Sequence, residues 1–477
     1  MTYLKTIAAA VSAALLAGCS LQEPYVRPDT TAQAAYPAGN AYPGAGATSN
    51  TTAAADTGWA EFLGDPALRR LVGIALENNR DLRVAMLRVE QARAQLQLQR
   101  AALVPQVGLA AGSSDSKNNS SSSDDANRNH APLHTQSVGL SASWEADFFG
   151  RLQSLSDEAR EQYLATSYAR QAVQITLVAQ VSEQYLTWLA AGEQLAVSDS
   201  TVAAAQESWR INKLRYDTGS GSEIDATLAL GILQQAQANQ TAQTRLKAQA
   251  ENALVLLLGQ ALPADLPAAV PLRQLTLMAD VPAGLPSDLL LRRPDVQQAE
   301  AQLRAENAHI GAARAAFFPR ITLTAAAGTA SSGLGSLFQA GSGAWTFAPQ
   351  LLLPLFDGGA NQANLDAARI GKDIGVAQYQ KSVQSAFREV ADGLAARGTY
   401  DKELESRQQY SDTQQRRLVL AELRYNNGID DYLSVLSAKT DLYNAQTALV
   451  TARLNRWNSM LELYRALGGG WREHSAT

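Results

Sequence analysis

The chain writes one unit twice, and this limits its possible folds more than any other feature. RYDTGSGSEID begins at Arg215 and RYNNGIDDYLS at Arg424, so Arg215, Tyr216 and Gly219 map onto Arg424, Tyr425 and Gly428, each 209 positions on. Upstream, DLRVAMLRVEQARAQLQLQRAALVPQVGL from Asp81 aligns with DVQQAEAQLRAENAHIGAARAAFFPRITL from Asp295 at an offset of 214, which places Pro105 on Pro319. Asp157, Ala159 and Arg160 fall on Asp366, Ala368 and Arg369 at 209, as Leu258-Gly259 falls on Leu467-Gly468. The five-residue change lies between strand candidates, where loops absorb insertions. A length of 477 residues alone suggests three domains; self-similarity on this scale makes the chain a tandem duplication instead.

Each copy opens on a helix. Residues 66–103 hold no proline after Pro66 and are rich in Ala, Leu, Gln and Arg, strong helix formers. Pro66 and Pro294 suit a first helical turn. The period then changes. In SVGLSASWEADF, from Ser137, the residues Val138, Leu140, Ala142, Trp144, Ala146 and Phe148 share one face, and Ser137, Gly139, Ser141, Ser143, Glu145 and Asp147 share the other. Period two with one apolar face is a strand. Its partner begins at Pro105; the second copy supplies Ile321–Gly328 and roughly Ala344–Phe356. Polar and Gly-rich stretches, Ser113–His130 and Ser331–Gly343, read as exposed loops.

Very long helices follow the strands. Gly150–Arg215 (66 residues) and Ala360–Arg424 (65 residues) contain no proline, and 1.5 Å per residue makes each about 100 Å long. Gly371, Gly375, Gly393 and Gly398 weaken the second. Val181, Trp188, Leu195, Val202, Trp209 and Tyr216 recur every seven residues, a coiled-coil seam or, more simply, an amphipathic stripe. A rod of this length needs helical neighbours. Returning helices are expected from Ile224 to Leu258 and from Tyr432 to Leu467. The opening and returning helices, about 57 and 53 Å, together match the long one. The duplicated turn is therefore expected at the tip farthest from the strands, with the connection Gln260–Pro286 at mid-height.

The N-terminus reads as a signal. Lys5 precedes an apolar run from Thr6 to Ala17, too short to cross a bilayer. Leu16-Ala17-Gly18-Cys19 resembles a lipobox, which implies acylation of Cys19, with Ser20 directing the product to the outer membrane; a plain secretory signal with an incidental cysteine is the alternative. The chain's single cysteine leaves no disulfide, which suits an oxidising periplasm. The expected segments are 1–18 signal, 19–65 lipidated segment, 66–259 first repeat, 260–286 connection, 287–468 second repeat and 469–477 tail.

Two strands of about ten residues per copy are long enough to cross a bilayer when tilted. Four strands cannot close, because such barrels start at eight; three chains would supply twelve. A small soluble sandwich is the competing reading. A net charge of −5 gives no attraction to nucleic acid. No reactive constellation appears, so neither an enzyme nor a cofactor is expected. Of the four histidines, His130, His134, His309 and His474, the first two sit in a loop beside Pro132, where helical metal spacing does not apply. Gly219-Ser220-Gly221 is too short to cradle a phosphate. Four methionines offer few soft ligands for a copper or silver cargo.

LLLRRPDVQQAE (Leu289–Glu300), AAFFPRITL (Ala315–Leu323), LFDGG (Leu355–Gly359) and the paired RYxxG tips resemble the outer-membrane factors of tripartite efflux systems, the TolC-like proteins, in their OprM/NodT-type lipoprotein branch. The resemblance spans nearly the whole mature chain. It implies an α+β membrane fold: a homotrimer with a twelve-stranded outer-membrane β-barrel, a periplasmic α-barrel of long hairpins, and an equatorial domain built from the N-terminal segment, the 260–286 connection and the C-terminal tail. It further implies passive export through a duct that meets a periplasmic adaptor (membrane fusion protein) at its tips and an inner-membrane RND pump that supplies energy. Many relatives carry an Asp where this chain has Ser437.

At the tips, Gly219 and Gly428 supply the positive φ that such a turn needs. Asp430 and Asp431, beside Tyr432, are the acids of the second tip, and Asp217, Glu223 and Asp225 those of the first; the acids just past each turn lie at a helix N-terminus, which favours them. The sharper reading uses symmetry: three copies of Asp430 and Asp431 around one axis would attract cations and resist closure unless paired. Arg215, Arg424, Tyr216 and Tyr425 are the candidates to hold neighbouring hairpins shut. A transport conduit competes with a non-conducting structural lipoprotein, and within transport, small-molecule efflux competes with type I protein secretion; the lipobox and the RRPD segment favour efflux by resemblance.

Overall fold

The computed structural model describes residues 21–29, 36–42, 56–116, 133–268, 270–275 and 292–475. Cys19, the segment 1–18, His130 and residues 276–286 lie outside them. In chain order the elements are helices α1 (Trp59–Phe62), α2 (Pro66–Asn78) and α3 (Arg80–Ala101), strands β1 (Gln106–Ser116) and β2 (Leu133–Ala146), and helices α4 (Arg151–Asp217) and α5 (Glu223–Leu258). The second copy gives α6 (Pro294–Ala315), β3 (Arg320–Ser331), β4 (Gly343–Leu352), α7 (Ala360–Asn426) and α8 (Tyr432–Ala466). Both α4 and α7 are 67 residues long. Two compact units result. One comprises 1–29, 89–166 and 299–379; the other comprises 30–88, 167–298 and 380–477.

The first unit holds the sheet, ordered β1-β2-β3-β4 and antiparallel throughout. Its register keeps like with like. The row Leu109, Leu140, Ala327, Trp345 and the row Val107, Ala142, Ala325, Phe347 lie on one face. Gly108, Ser141 and Ala326 interleave on the other. Among the described residues nothing covers the apolar face: Leu109, Leu140, Trp345, Phe347 and Leu351 are all exposed. β1 and β4 are the edges of this sheet. Between β2 and β3, Gly139 pairs with Gly328. A Cβ on Gly328 would stand 2.2 Å from the Val138 carbonyl oxygen, so the strands approach only because both residues lack one.

Strand ends differ from the sequence reading in three places. β1 runs to Ser116, past the expected start of its loop at Ser113. Phe148 lies beyond the end of β2. β4 stops at Leu352, and Pro354, which lacks an N–H, lies in the segment that follows. Asp147 and Asp357 then cap the long helices. Asp147 Oδ2 accepts from Gln153 N at 2.7 Å, and Asp357 accepts from Gly359 N at 2.9 Å and Asn361 N at 2.8 Å.

Residues 21–27 run alongside α6 as an extended strap. Arg314 donates to the Leu21 carbonyl at 3.4 Å and ion-pairs Glu23; Asn307 donates to the Glu23 carbonyl at 2.9 Å. At the far end Glu300, 5% exposed, accepts from Arg27 at 3.0 and 2.8 Å, Arg304 at 2.8 Å and Tyr25 at 3.3 Å. Six extended steps cover about 20 Å, and the fourteen helical residues from Glu300 to Arg314 rise about 21 Å, so strap and helix keep register.

The second unit is built on one apolar cluster. It joins Trp59, Phe62 and Leu63, the buried face of α2, Leu177–Leu189 of α4, Leu254 and Leu258 of α5, Leu272 and Leu275 of the connection, and Leu461–Leu467 around the end of α8. The tail closes over this cluster: Trp59 N donates to Arg472 O at 2.9 Å and Ala60 N to Glu473 O at 3.1 Å. The connection is pinned at Leu272, whose N donates to Glu193 at 2.7 Å and whose carbonyl accepts from Trp457 at 3.0 Å. Val181 of the seven-residue seam lies in this cluster, and Val202 and Trp209 pack on Ala205, Leu233 and Ala236 between α4 and α5. Tyr216, the last of the series, is exposed.

The expected helix over 66–103 is broken at Asn79, and the duplication explains why. Asn79 takes extended backbone; its Oδ1 accepts from Leu82 N at 3.0 Å and its Nδ2 donates to the Leu257 carbonyl at 2.9 Å. Between the copies, Asn79 falls on Arg293 and Leu257 on Ala466, and Arg293 donates to the Ala466 carbonyl at 2.8 Å. The same joint recurs: the last carbonyls of the returning helix are held at the start of the opening one. In the second copy Pro294 marks the start of α6; in the first no proline or glycine marks the break. Arg293 also ion-pairs Asp295 at 2.6 Å and Glu389 at 2.9 Å. Burial alone would raise the Asp295 carboxyl, but the bonds and charge of Arg293 hold it below the usual range. α7 runs unbroken through its glycines, and two of them face neighbours closely: a Cβ at Gly393 would meet Leu463 at 3.1 Å, and one at Gly375 would meet Leu303 at 3.2 Å.

Two outcomes are expected. Gly328→Val, which drives a side chain into the Val138 backbone, lowers the temperature at which the β-sheet circular-dichroism signal is lost, whereas Gly333→Ala, in open space, leaves it unchanged. Arg293→Met strands two acids and costs roughly 3 kcal/mol, read as a lower denaturant midpoint of the purified protein.

Candidate functional site

The duplicated tips fold alike. Gly219 and Gly428 hold φ of 73° and 70°. In each, the glycine N–H donates to the penultimate helical carbonyl and the next N–H reaches one residue further: Gly219 to Tyr216 and Ser220 to Arg215, both 2.9 Å, then Gly428 to Tyr425 at 2.9 Å and Ile429 to Arg424 at 3.0 Å. This is the Schellman arrangement, which fills the last helical carbonyls and reverses the chain.

Side chains then tie the two tips together. Arg215 donates to Asn426 Oδ1 at 3.3 Å, and its guanidinium lies 5.3 Å from the centre of the Tyr425 ring. The Tyr425 hydroxyl donates to Asn212 Oδ1 at 2.7 Å and reaches Asp225 at 3.5 Å. Tyr432 is buried, tilted against Tyr425 at 5.2 Å, and its hydroxyl lies 3.0 Å from Ser208 Oγ. Lys439 donates to the same Ser208 at 3.0 Å and pairs with Glu422 at 3.4 Å. Burial raises the phenol pKa of both tyrosines, keeping them neutral donors.

The acids divide. Asp217 pairs with Lys213 at 2.8 Å. Asp430 accepts two bonds from Arg424, at 2.6 and 2.9 Å, across its own turn. The Arg424 hydrogen bond holds the Asp430 carboxyl below its ordinary value. The pair's contribution is therefore complete above that ordinary value and is lost only as pH falls through the lowered one. Asp431 is the N-cap of α8 and accepts from Ser434 N at 3.1 Å. Glu223 and Asp225 stand in the first turn of α5, behind the Ser222 cap. Arg424 thus works within its hairpin, whereas Arg215 and Tyr425 reach the other copy; Tyr216 is exposed.

Sequence reasoning missed Asn212, Asn426, Ser208 and Lys439, whose partners lie in the other copy some 200 residues away. It also missed Asp441. That carboxylate, one turn beyond Ser437 on α8, ion-pairs Arg417; Arg417 also reaches Ser437 at 3.2 Å. An i, i+4 step from Ser437 was the available signal. Arg416, Arg417 and Arg424 line a cleft of about 890 Å³ with Asp412, Asp430 and Asp431. Among the described residues, each histidine meets a carboxylate: His134 with Asp115, His309 with Glu158, and His474 with Glu61. None belongs to a group of three metal-ligand residues.

The family model described as outer membrane efflux protein matches residues 71–260 and 285–469. The chain is 47% identical over 460 residues to the solvent efflux pump outer membrane protein SrpC of Pseudomonas putida, covering 96% of each. It is 41% identical over 468 residues to the outer membrane protein OprJ of Pseudomonas aeruginosa, covering 98% of this chain and 96% of that one. Among solved structures, the open state of the Neisseria gonorrhoeae MtrE outer membrane channel superposes with a TM-score of 0.86 at 35% identity, over 96% of this chain and 100% of that one. The chain belongs to the outer membrane efflux protein family. It is an outer-membrane efflux channel component with the TolC-like α+β fold.

Tyr425→Phe leaves Asn212 and Asp225 without their donor. A loss of about 1 kcal/mol corresponds to roughly fivefold faster amide exchange at the tip, measured by mass spectrometry; unchanged exchange would remove Tyr425 from the tie.

Proposed function

We propose that three copies of the chain close one twelve-stranded barrel in the outer membrane and form a passive conduit that exports small apolar or amphiphilic toxic compounds. The observation that carries this reading is the four-stranded sheet, apolar on an exposed face and open at both edges. Lipid can solvate such a face, but it cannot satisfy edge N–H and C=O groups. Twelve strands would enclose a lumen between the side-chain-filled eight-stranded barrels and the open sixteen-stranded ones. The face with Gly108, Ser137, Ser141, Ser143 and Thr322 would line it. Cys19, acylated, would add a lipid anchor. The substrate class is drawn from relatives named for solvent, toluene and antibiotic efflux.

In this reading a periplasmic adaptor docks at the hairpin tips and an inner-membrane RND pump drives the cargo. The bonds of Arg215, Tyr425, Asn212 and Asn426 hold the tips of one chain together until the adaptor replaces them. Asp430 and Asp431 of three chains would ring the closed end. Asp430 is neutralised by Arg424, which would let the ring narrow, while Asp431 would keep its charge for cations.

The purified protein in a planar bilayer is expected to conduct in discrete steps, and Asp430→Ala with Asp431→Ala to weaken block by divalent cations. Absence of conductance with adaptor present would favour a non-conducting strut. Unaltered block would remove the two acids from the gate.

A further inference from the structure

Where the sheet meets the long helices, the chain carries a second kind of lipid contact. A cleft of about 290 Å³ opens there, lined by Glu145, Asp147, Phe149, Arg151, Phe318, Arg320 and Asp357, among others. Phe149 and Phe318 stack at 4.8 Å. Arg151 bonds Glu145 twice at 2.9 Å, and Arg320, half exposed, touches the same carboxylate at 3.4 Å. Immediately beside the cleft runs LLLPLF, from Leu351 to Phe356. Leu355 is 89% and Phe356 93% exposed, the most exposed large apolar side chains among the described residues. Leu351 belongs to the row that continues through Ile321 and Ala146 on the sheet's apolar face. The exposed stripe therefore continues that face beyond the last hydrogen-bonded strand residue.

We propose that this cleft and stripe form a phospholipid site in the inner leaflet of the outer membrane, selective for a zwitterionic headgroup with a primary ammonium. Its location rests on the barrel reading above. The stripe receives acyl chains, and the cleft receives the headgroup. At about 290 Å³ the cleft is of headgroup scale and too small for acyl chains. Charge selects the head. Three carboxylates, Glu145, Asp147 and Asp357, face two guanidiniums, Arg151 and Arg320. A purely anionic head would meet an acidic excess, whereas an ammonium placed among the acids with its phosphate on Arg320 satisfies both signs.

The test places one nitroxide at a time on the oligomer in nanodiscs containing phosphatidylethanolamine, using L109C for the sheet face and L355C for the stripe. Accessibility to oxygen and to a nickel chelate is then read by power saturation. Both labels are expected to favour oxygen, with L355C nearer the headgroups. If L109C favours the nickel chelate, the barrel reading itself fails. If L109C lies in lipid while L355C is open to nickel, the stripe is aqueous and the site is overturned. Shielding of L355C from both reagents means that a second copy covers it, which also overturns the site. For the headgroup, protein delipidated and then offered equal phosphatidylethanolamine and phosphatidylglycerol is expected to retain the former. D357N, which removes one acid but keeps an oxygen for the helix cap, should lose that preference, whereas R320Q, which removes the phosphate contact common to both lipids, should lower retention of both. Equal retention by the unmodified protein contradicts the headgroup assignment.

Discussion

Two unpaired sheet edges beneath an uncovered apolar face govern the rest of this structure. Every strand pair within the chain is satisfied, yet the outer sides of β1 and β4 end in backbone groups that hydrocarbon cannot solvate. An exposed, apolar, open-edged sheet in water is an aggregation site. In the proposed trimer it becomes a fragment of a barrel that the other copies complete. The Gly139–Gly328 pair supports this, because side-chain-free contact between the central strands is one way a sheet acquires the curvature that closure demands.

The duplication distributes the work. Each copy supplies two strands, a long helix, a Schellman tip and a joint where the returning helix ends. Conserving the joint's geometry did not require conserving its residues: Asn79 and Arg293 hold equivalent carbonyls with different chemistry. The two tips have diverged more. Asp217 is matched by a lysine one turn back, Asp430 by an arginine across its turn, and only the first tip extends an arginine, Arg215, towards the second. This asymmetry makes the hairpins of one chain chemically distinct, so a partner meeting both would contact two different surfaces.

Much of this was legible in the sequence. Strict alternation from Val138 to Ala146 and the proline-free runs after Gly150 and Ala360 gave strands and helices to within a few residues. Glycine at 219 and 428 gave the turns. What escaped notice was set by distant neighbours. Asn79 breaks a helix where its side chain both caps Leu82 and donates to the distant Leu257 carbonyl. Gly393 sits mid-helix because Leu463 approaches it. The ties from Tyr425 to Asn212 and from Arg215 to Asn426 cross between copies, and no local pattern marks them. The acids were visible, but their partners were not: a carboxylate past a turn looks the same whether it caps a helix, as Asp431 does, or answers an arginine, as Asp430 does.

The dependence on neighbouring copies is most directly tested by amide hydrogen exchange of the lipid-reconstituted protein, resolved to single strands. If copies complete one another, amides facing outward on β1 and β4 exchange as slowly as those buried between β2 and β3. Rapid exchange confined to the outward amides of β1 and β4, with β2 and β3 protected, would show a sheet that ends where the chain's own pairing ends.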